Sequence, residues 1–171
     1  TLEANPSSLS FQRLRDYRAL GVNRISMGIQ ALQPALLQLL GRVHSREDAL
    51  TKLAEVFEAG FQNVSVDLMC GIPGQKREDL EESIKILLEF PITHLSCYLL
   101  TLPKHHSLYS ALPGEETQLE HLLFIDQRLS DHGFEHYEIS NFCKPVYRAR
   151  HNLAYWTGQS YLGLGPSAHS Y

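Results

Sequence analysis

Val64-Ser65-Val66-Asp67-Leu68-Met69-Cys70-Gly71-Ile72-Pro73-Gly74-Gln75 is the stretch that decides the fold. Its apolar positions alternate and then run on, rich in valine, as in a strand buried in a parallel sheet. Gly71, Pro73 and Gly74 break that strand. Lys76-Arg77-Glu78-Asp79 then opens a helix with acids in its first turn, where the helix dipole favours them. Asp67 stands inside the apolar run, and a carboxylate there is costly unless paired. It either anchors the turn or faces a ligand. A strand, a polar residue, a glycine-rich turn and a helix are how α/β barrels present chemistry.

Outward from this stretch the same unit recurs. After Asn5-Pro6-Ser7-Ser8, a start signal, Leu9, Leu14, Tyr17 and Leu20 predict a helix that ends at Gly21. Val22 to Gln30 reads as a strand closing on Gln30, and a short helical turn from Pro34 to Leu40 leads to Gly41-Arg42. Ser45 caps the next helix with Asp48 three residues on; its apolar face is Ala49, Leu53, Val56 and Phe57, and Gly60 ends it. Beyond the opening stretch, Leu80, Ile84, Leu87 and Leu88 share one helix side, and Ile92 to Leu100 is another buried strand. Leu119 to Leu129 reads as a helix stopped at Gly133, and Phe134 to Ile139 as a final strand. Helices alternating with strands at this spacing predict parallel βα units.

With 171 residues, 43% of them apolar, the chain can bury a sizeable core. Fifteen Lys and Arg against nineteen Asp and Glu give a net charge of −4, which leaves no basic footprint for nucleic acid. No apolar run approaches the ~20 residues that span a bilayer, and no signal-peptide pattern is present, so a cytoplasmic protein is expected. Cys70, Cys97 and Cys143 are too far apart for a disulfide framework or a CxxC metal site. The chain begins at Thr1 without methionine, and it is expected to be a piece of a longer protein.

In a parallel architecture Glu3, Gln30, Asp67 and the Tyr98 to Thr101 stretch fall at or near the carboxyl ends of successive strands. There they would converge on one mouth, where barrels bind ligands. With Arg42 they could hold a zwitterionic, hydroxyl-bearing molecule. Arg42 would take a carboxylate in a bidentate pair, while Glu3 and Gln30 accept from ribose hydroxyls. Each residue alone could equally seal a strand end; four in register favour a site.

Glu3-Ala4-Asn5-Pro6, Gly21-Val22-Asn23-Arg24-Ile25-Ser26-Met27-Gly28-Ile29-Gln30, Gly41-Arg42-Val43-His44 and the opening stretch resemble successive motifs of the radical S-adenosylmethionine proteins. The subgroup is that of oxygen-independent coproporphyrinogen III oxidases and their relatives. Tyr137 to Phe142, His151-Asn152-Leu153-Ala154-Tyr155-Trp156 and Gly163 to Ser170 resemble its heme-chaperone (HemW-like) branch, which is set apart by the HNxxYW pattern. The likeness covers essentially the whole chain.

The resemblance implies an α/β fold that is a fragment of a partial (β/α)6 TIM-like barrel. Residues 1–102 would form its C-terminal part, and 103–171 the last barrel unit with the start of the following C-terminal region. It implies that Glu3, Gln30, Arg42, Asp67 and the backbone at Leu100 hold S-adenosylmethionine, and that His151 binds heme. It implies a heme chaperone delivering heme to acceptor proteins, membrane-bound ones included; the alternative is radical decarboxylation of coproporphyrinogen III. The family's CxxxCxxC, which holds a [4Fe–4S] cluster, is absent from this sequence, so the cluster's ligands are expected outside it. Read from residues alone, His151 is either an iron ligand flanked by aromatics or part of a loop-locking hydrogen-bond set.

Overall fold

The computed structural model describes residues 1–171. Strands β1 (Leu2–Ala4), β2 (Arg24–Gln30), β3 (Asn63–Cys70) and β4 (His94–Leu99) lie side by side in chain order, all parallel. Their connections carry helices α1 (Phe11–Ala19), α2 (Pro34–Leu39), α3 (Arg46–Glu58) and α4 (Arg77–Leu87). Helix α5 (Glu115–Asp131) leads to β5 (Glu135–Glu138) and β6 (Asn141–Cys143), and α6 (Arg150–Trp156) follows.

The parallel series ends at β4. Strand β6 pairs antiparallel with β4, and β5 pairs antiparallel with β6, giving the order β1-β2-β3-β4-β6-β5. The expected last strand therefore exists, but at the sheet's outer edge, with an unforeseen three-residue strand between it and β4. Ile139 and Ser140 alone link the two strands, and so short a connection permits only antiparallel pairing.

Helix boundaries follow their capping chemistry. Ser45 Oγ accepts from the Asp48 amide at 3.1 Å while Asp48 accepts from the Ser45 amide at 2.9 Å, closing the capping box at the start of α3. At the first helix the expected start is corrected. Pro6–Ser8 is only a 3-10 turn, and α1 begins after Ser10, whose side chain accepts from the Arg13 amide.

The two faces of the sheet differ sharply. Ile25, Met27, Ile29, Val64, Val66, Leu68, Leu95 and Cys97 point to the helices and join Leu53, Val56, Leu80, Ile84 and Leu87 in one buried cluster. Burying each such aliphatic side chain stabilises the fold by about 1.5–3 kcal/mol. The alternate positions carry Arg24, Ser26 and Gly28 on β2, Ser65 and Asp67 on β3, and His94, Ser96 and Tyr98 on β4. A parallel sheet with one polar face is a barrel wall showing its interior. After β3 the backbone turns through Gly71 at φ +72°, where a Cβ would sit 2.7 Å from Leu99 Cδ1; only glycine suits that turn.

Candidate functional site on the polar face

On this face Glu3, Asn5, Ser26, Gly28, Gln30 and Asp67 line a polar cavity of about 330 Å³. Gln30 also lines a second, mostly apolar cavity of about 360 Å³, together with Arg42, Met69, Leu100 and Leu102. A polar and an apolar compartment thus meet at one side chain.

Strand-end placement holds for Gln30, the last residue of β2, and for the Tyr98 to Thr101 stretch, which straddles the end of β4 at Leu99. Glu3 lies one residue short of the end of β1, whereas Asp67 lies within β3, opposite Gly28 on one side and Ser96 on the other. The site therefore runs from the strand ends down into the face. Gln30 is aimed by local backbone geometry. The register slips between Gly28 and Gln30, a bulge, and Gln30 takes φ 72°, a left-handed conformation costing about 1 kcal/mol or more in a non-glycine residue. Gly28 makes room beneath. A Cβ there would sit 2.9 Å from Gln30 Nε2 and 3.6 Å from Arg42 Nη2.

Asp67 accepts from Ser26 Oγ at 3.3 Å. Burial pushes its carboxyl above the usual carboxylate range; the Ser96 and Ser26 hydroxyls pull the other way, and the Glu3 charge adds to the rise. Arg42 makes no ion pair with either carboxylate. Its Nη2 donates to Asn5 Oδ1 and to the Gly28 carbonyl at 2.9 Å, tying the exit of β1 to β2. Leu100 contributes its amide to the Cys70 carbonyl at 2.9 Å, which fixes the chain leaving β4 against the end of β3.

Asn5, Ser26, Gly28 and Ser96 complete the site and were not singled out from sequence. The strict polar–apolar alternation of Arg24-Ile25-Ser26-Met27-Gly28-Ile29-Gln30 carried that information. The cysteines play no part on this face. Cys70 and Cys97 lie in the core toward the helices, where hydrogen bonding to Cys70 and burial push the Cys97 thiol up, and Cys143 is buried on β6.

His151 belongs to the exposed helix α6, and its Nε2 shares a 2.8 Å hydrogen bond with the Tyr155 hydroxyl. Tyr161 stacks edge-on against both rings. Trp156 turns away and donates from Nε1 to Glu138 Oε2 at 2.8 Å. His151 lines a third cavity, of about 710 Å³, whose wall includes Glu3 and Arg24. Glu3 is thus shared between the polar cavity and the one that His151 faces. His169 contributes backbone: it packs against Gly163 so closely that no Cβ fits there.

The model of the radical SAM superfamily matches residues 1–87, half of the chain. The chain belongs to the radical SAM superfamily. It is 38% identical to the heme chaperone HemW of Bacillus subtilis over 99% of its own length and 47% of that protein's. It is 45% identical to a mitochondrial radical S-adenosyl methionine domain-containing protein 1 of Mus musculus, over 99% of this chain and 40% of the relative. The chain therefore spans somewhat less than half of these relatives. Among solved structures it superposes on coproporphyrinogen III oxidase (HemN) of Escherichia coli with a TM-score of 0.82 and 25% identity, over 98% of this chain and 43% of that one. The fold is a part of that radical SAM barrel. Membership implies S-adenosylmethionine and a [4Fe–4S] cluster. The residues of the polar face fit the first: carboxylates, amides and a guanidinium edge beside an apolar compartment suit a zwitterion bearing a ribose and a purine. They do not fit the second, because no three thiolates meet.

Proposed function

We propose that this chain supplies the S-adenosylmethionine site and the heme-ligating histidine of a heme chaperone. The observation that carries the proposal is the meeting of two cavities at Glu3. One is built from Glu3, Gln30 and Asp67; the other opens onto His151. Glu3 and Gln30 would accept from ribose hydroxyls, Arg42 and Asp67 would engage the charged amino-acid end, and Met69, Leu100 and Leu102 would pack the flat base. S-adenosylmethionine, when bound next to a reduced cluster, is a source of a 5′-deoxyadenosyl radical. The residues here would bind and orient it.

The HemW-like relatives and the HNxxYW segment support heme as cargo; acceptor proteins would receive it. A second reading, decarboxylation of coproporphyrinogen III, draws on the superposition with HemN. Both readings are tested in a full-length protein carrying this sequence. Arg42→Ala or Asp67→Ala should weaken S-adenosylmethionine about ten- to a hundredfold, the loss of one charge-assisted contact of roughly 1.5–3 kcal/mol. His151→Ala should shift the Soret band and release heme while S-adenosylmethionine stays bound. Unchanged heme retention and spectrum would remove His151 from the ligand role, and turnover of coproporphyrinogen III by the wild type would promote the oxidase reading.

A further inference from the structure

Arg24 stands out on the polar face because, within residues 1–171, no side chain pairs directly with its guanidinium. It opens β2, its Nε is buried without a hydrogen-bond partner, and it takes part in none of the ion pairs. Leaving a buried guanidinium nitrogen unpaired is expensive, and arginine keeps its proton at any ordinary pH. Burial lowers its pKa, while Tyr137, Asp67 and Glu3 lie close enough to oppose that by charge alone.

The side chain lines the 710 Å³ cavity, and Arg148, Arg150 and His151 line it too. Arg148 is committed, donating to Glu135 at 2.9 Å. Arg150 is exposed and forms no ion pair, and it directly precedes His151 at the start of α6. Two guanidinium groups outside any ion pair therefore line one cavity, one from the start of β2 and one from the start of α6. Glu3 is the sole acid lining it. The volume is within the range that holds a drug-sized ligand.

We infer that this cavity is a carboxylate site, with Arg24 and Arg150 receiving the acidic arms of the ligand whose centre His151 meets. Guanidinium forks match carboxylates in a bidentate way, and two of them set apart select a dianion with separated carboxylates over a neutral molecule of the same shape. The ligand's identity as a tetrapyrrole with two propionate arms rests on the heme reading; the carboxylate selectivity does not need iron.

The test uses metal-free probes and a full-length protein carrying this sequence. Mesoporphyrin IX has two free carboxylates, and its dimethyl ester has none. Titrations followed by porphyrin fluorescence should show the diacid binding at least tenfold more tightly than the diester. Arg150→Gln should weaken the diacid about tenfold and leave the diester unchanged, since one charge-assisted contact is lost. Arg24→Gln should do the same, with Arg24→Lys keeping part of the preference; the lysine variant and the exposed Arg150 site cover a failure of Arg24→Gln to fold. Equal binding of diacid and diester, equal weakening of both by the variants, or no binding of either porphyrin would overturn the inference. Hemin binding to wild type and His151→Ala is measured alongside. Its failure strikes the heme reading, and the diacid–diester preference decides the carboxylate site separately.

Discussion

The barrel wall and the tail around His151 solve the problem of holding polar groups in opposite ways. Strand β2 buries five of its seven residues, and its polar side chains project from a backbone locked between two parallel neighbours. Helix α6 buries none. It is held by Trp156 to Glu138, by the Ala149 amide to the Tyr137 hydroxyl at 3.2 Å, and by the Tyr155–Tyr161 aromatic cluster. The difference teaches where order comes from. On the wall, strand pairing and burial fix the polar side chains; at the tail, a few exposed contacts hold α6, which places it at the low-stability end of the molecule.

The largest test of that contrast compares two truncations. Leu53 is fully buried in the core, so Leu53→Ala should cost about 2–5 kcal/mol. Tyr155 is 52% exposed, and Tyr155→Ala should stay within about 0.5 kcal/mol of wild type despite losing the His151 bond. Urea midpoints read both. A tail truncation as costly as the core one would show a single cooperative unit and break the comparison.

The same contrast explains what could be read in the sequence. The wall was legible because the physics is local and periodic. Gly21 and Gly60, both at positive φ, end helices where glycine is needed; Ser45 and Asp48 cap; and β2, β3 and β4 fall where the apolar runs were read. Glu3, Gln30 and Asp67 were found as polar residues beside those runs, and the structure brings them into one cavity. The burial of Asp67 and the bulge that turns Gln30 depend on neighbouring strands, which a one-dimensional reading does not contain. The tail resisted for a different reason. Strand β6 has three residues, too few to show a period, and α6 has seven with no buried stripe. Arg24 lies within a recognisable motif, but its place on the cavity shared with α6 depends on tertiary neighbours that no local pattern contains.

An intermediate effect probes the joint between the two regions. Ser65 Oγ and His94 Nδ1 share a 2.7 Å hydrogen bond, His94 Nε2 and the Tyr137 hydroxyl another of 2.7 Å, and Tyr137 holds the Ala149 amide ahead of α6. Burial, with a smaller push from Arg24, lowers the His94 pKa to about 3. In the unfolded chain this histidine takes a proton below about pH 6.5, and in the folded chain it does not. The unfolded state therefore binds more protons, and stability falls as pH drops through the window from about 6.5 to 3. The slope from this one group approaches 1.4 kcal/mol per unit, roughly 3 kcal/mol lost by pH 4. Denaturant titrations between pH 7 and 4 should show that slope, and His94→Gln should flatten it whatever its effect at pH 7. An unchanged slope in His94→Gln would place the acid sensitivity elsewhere.

The smallest effect is the sharpest discriminator. Trp156→Phe removes the indole N–H that donates to Glu138 and keeps an aromatic ring at an exposed position. A hydrogen bond to a carboxylate in this setting is worth about 0.5–1 kcal/mol after solvent screening. If α6 opens independently of the barrel, that loss falls on the tail alone. Amides of residues 153–157 should then exchange about two- to fivefold faster, while β2 and β3 amides keep their protection and the melting temperature stays within about a degree. On the proposed heme reading, heme retention should weaken by a similar small factor, because His151 lies on the same helix. If instead the melting temperature falls by several degrees and the β3 amides exchange faster, the tail is coupled to the wall. His151 would then be positioned by the barrel before any ligand arrives.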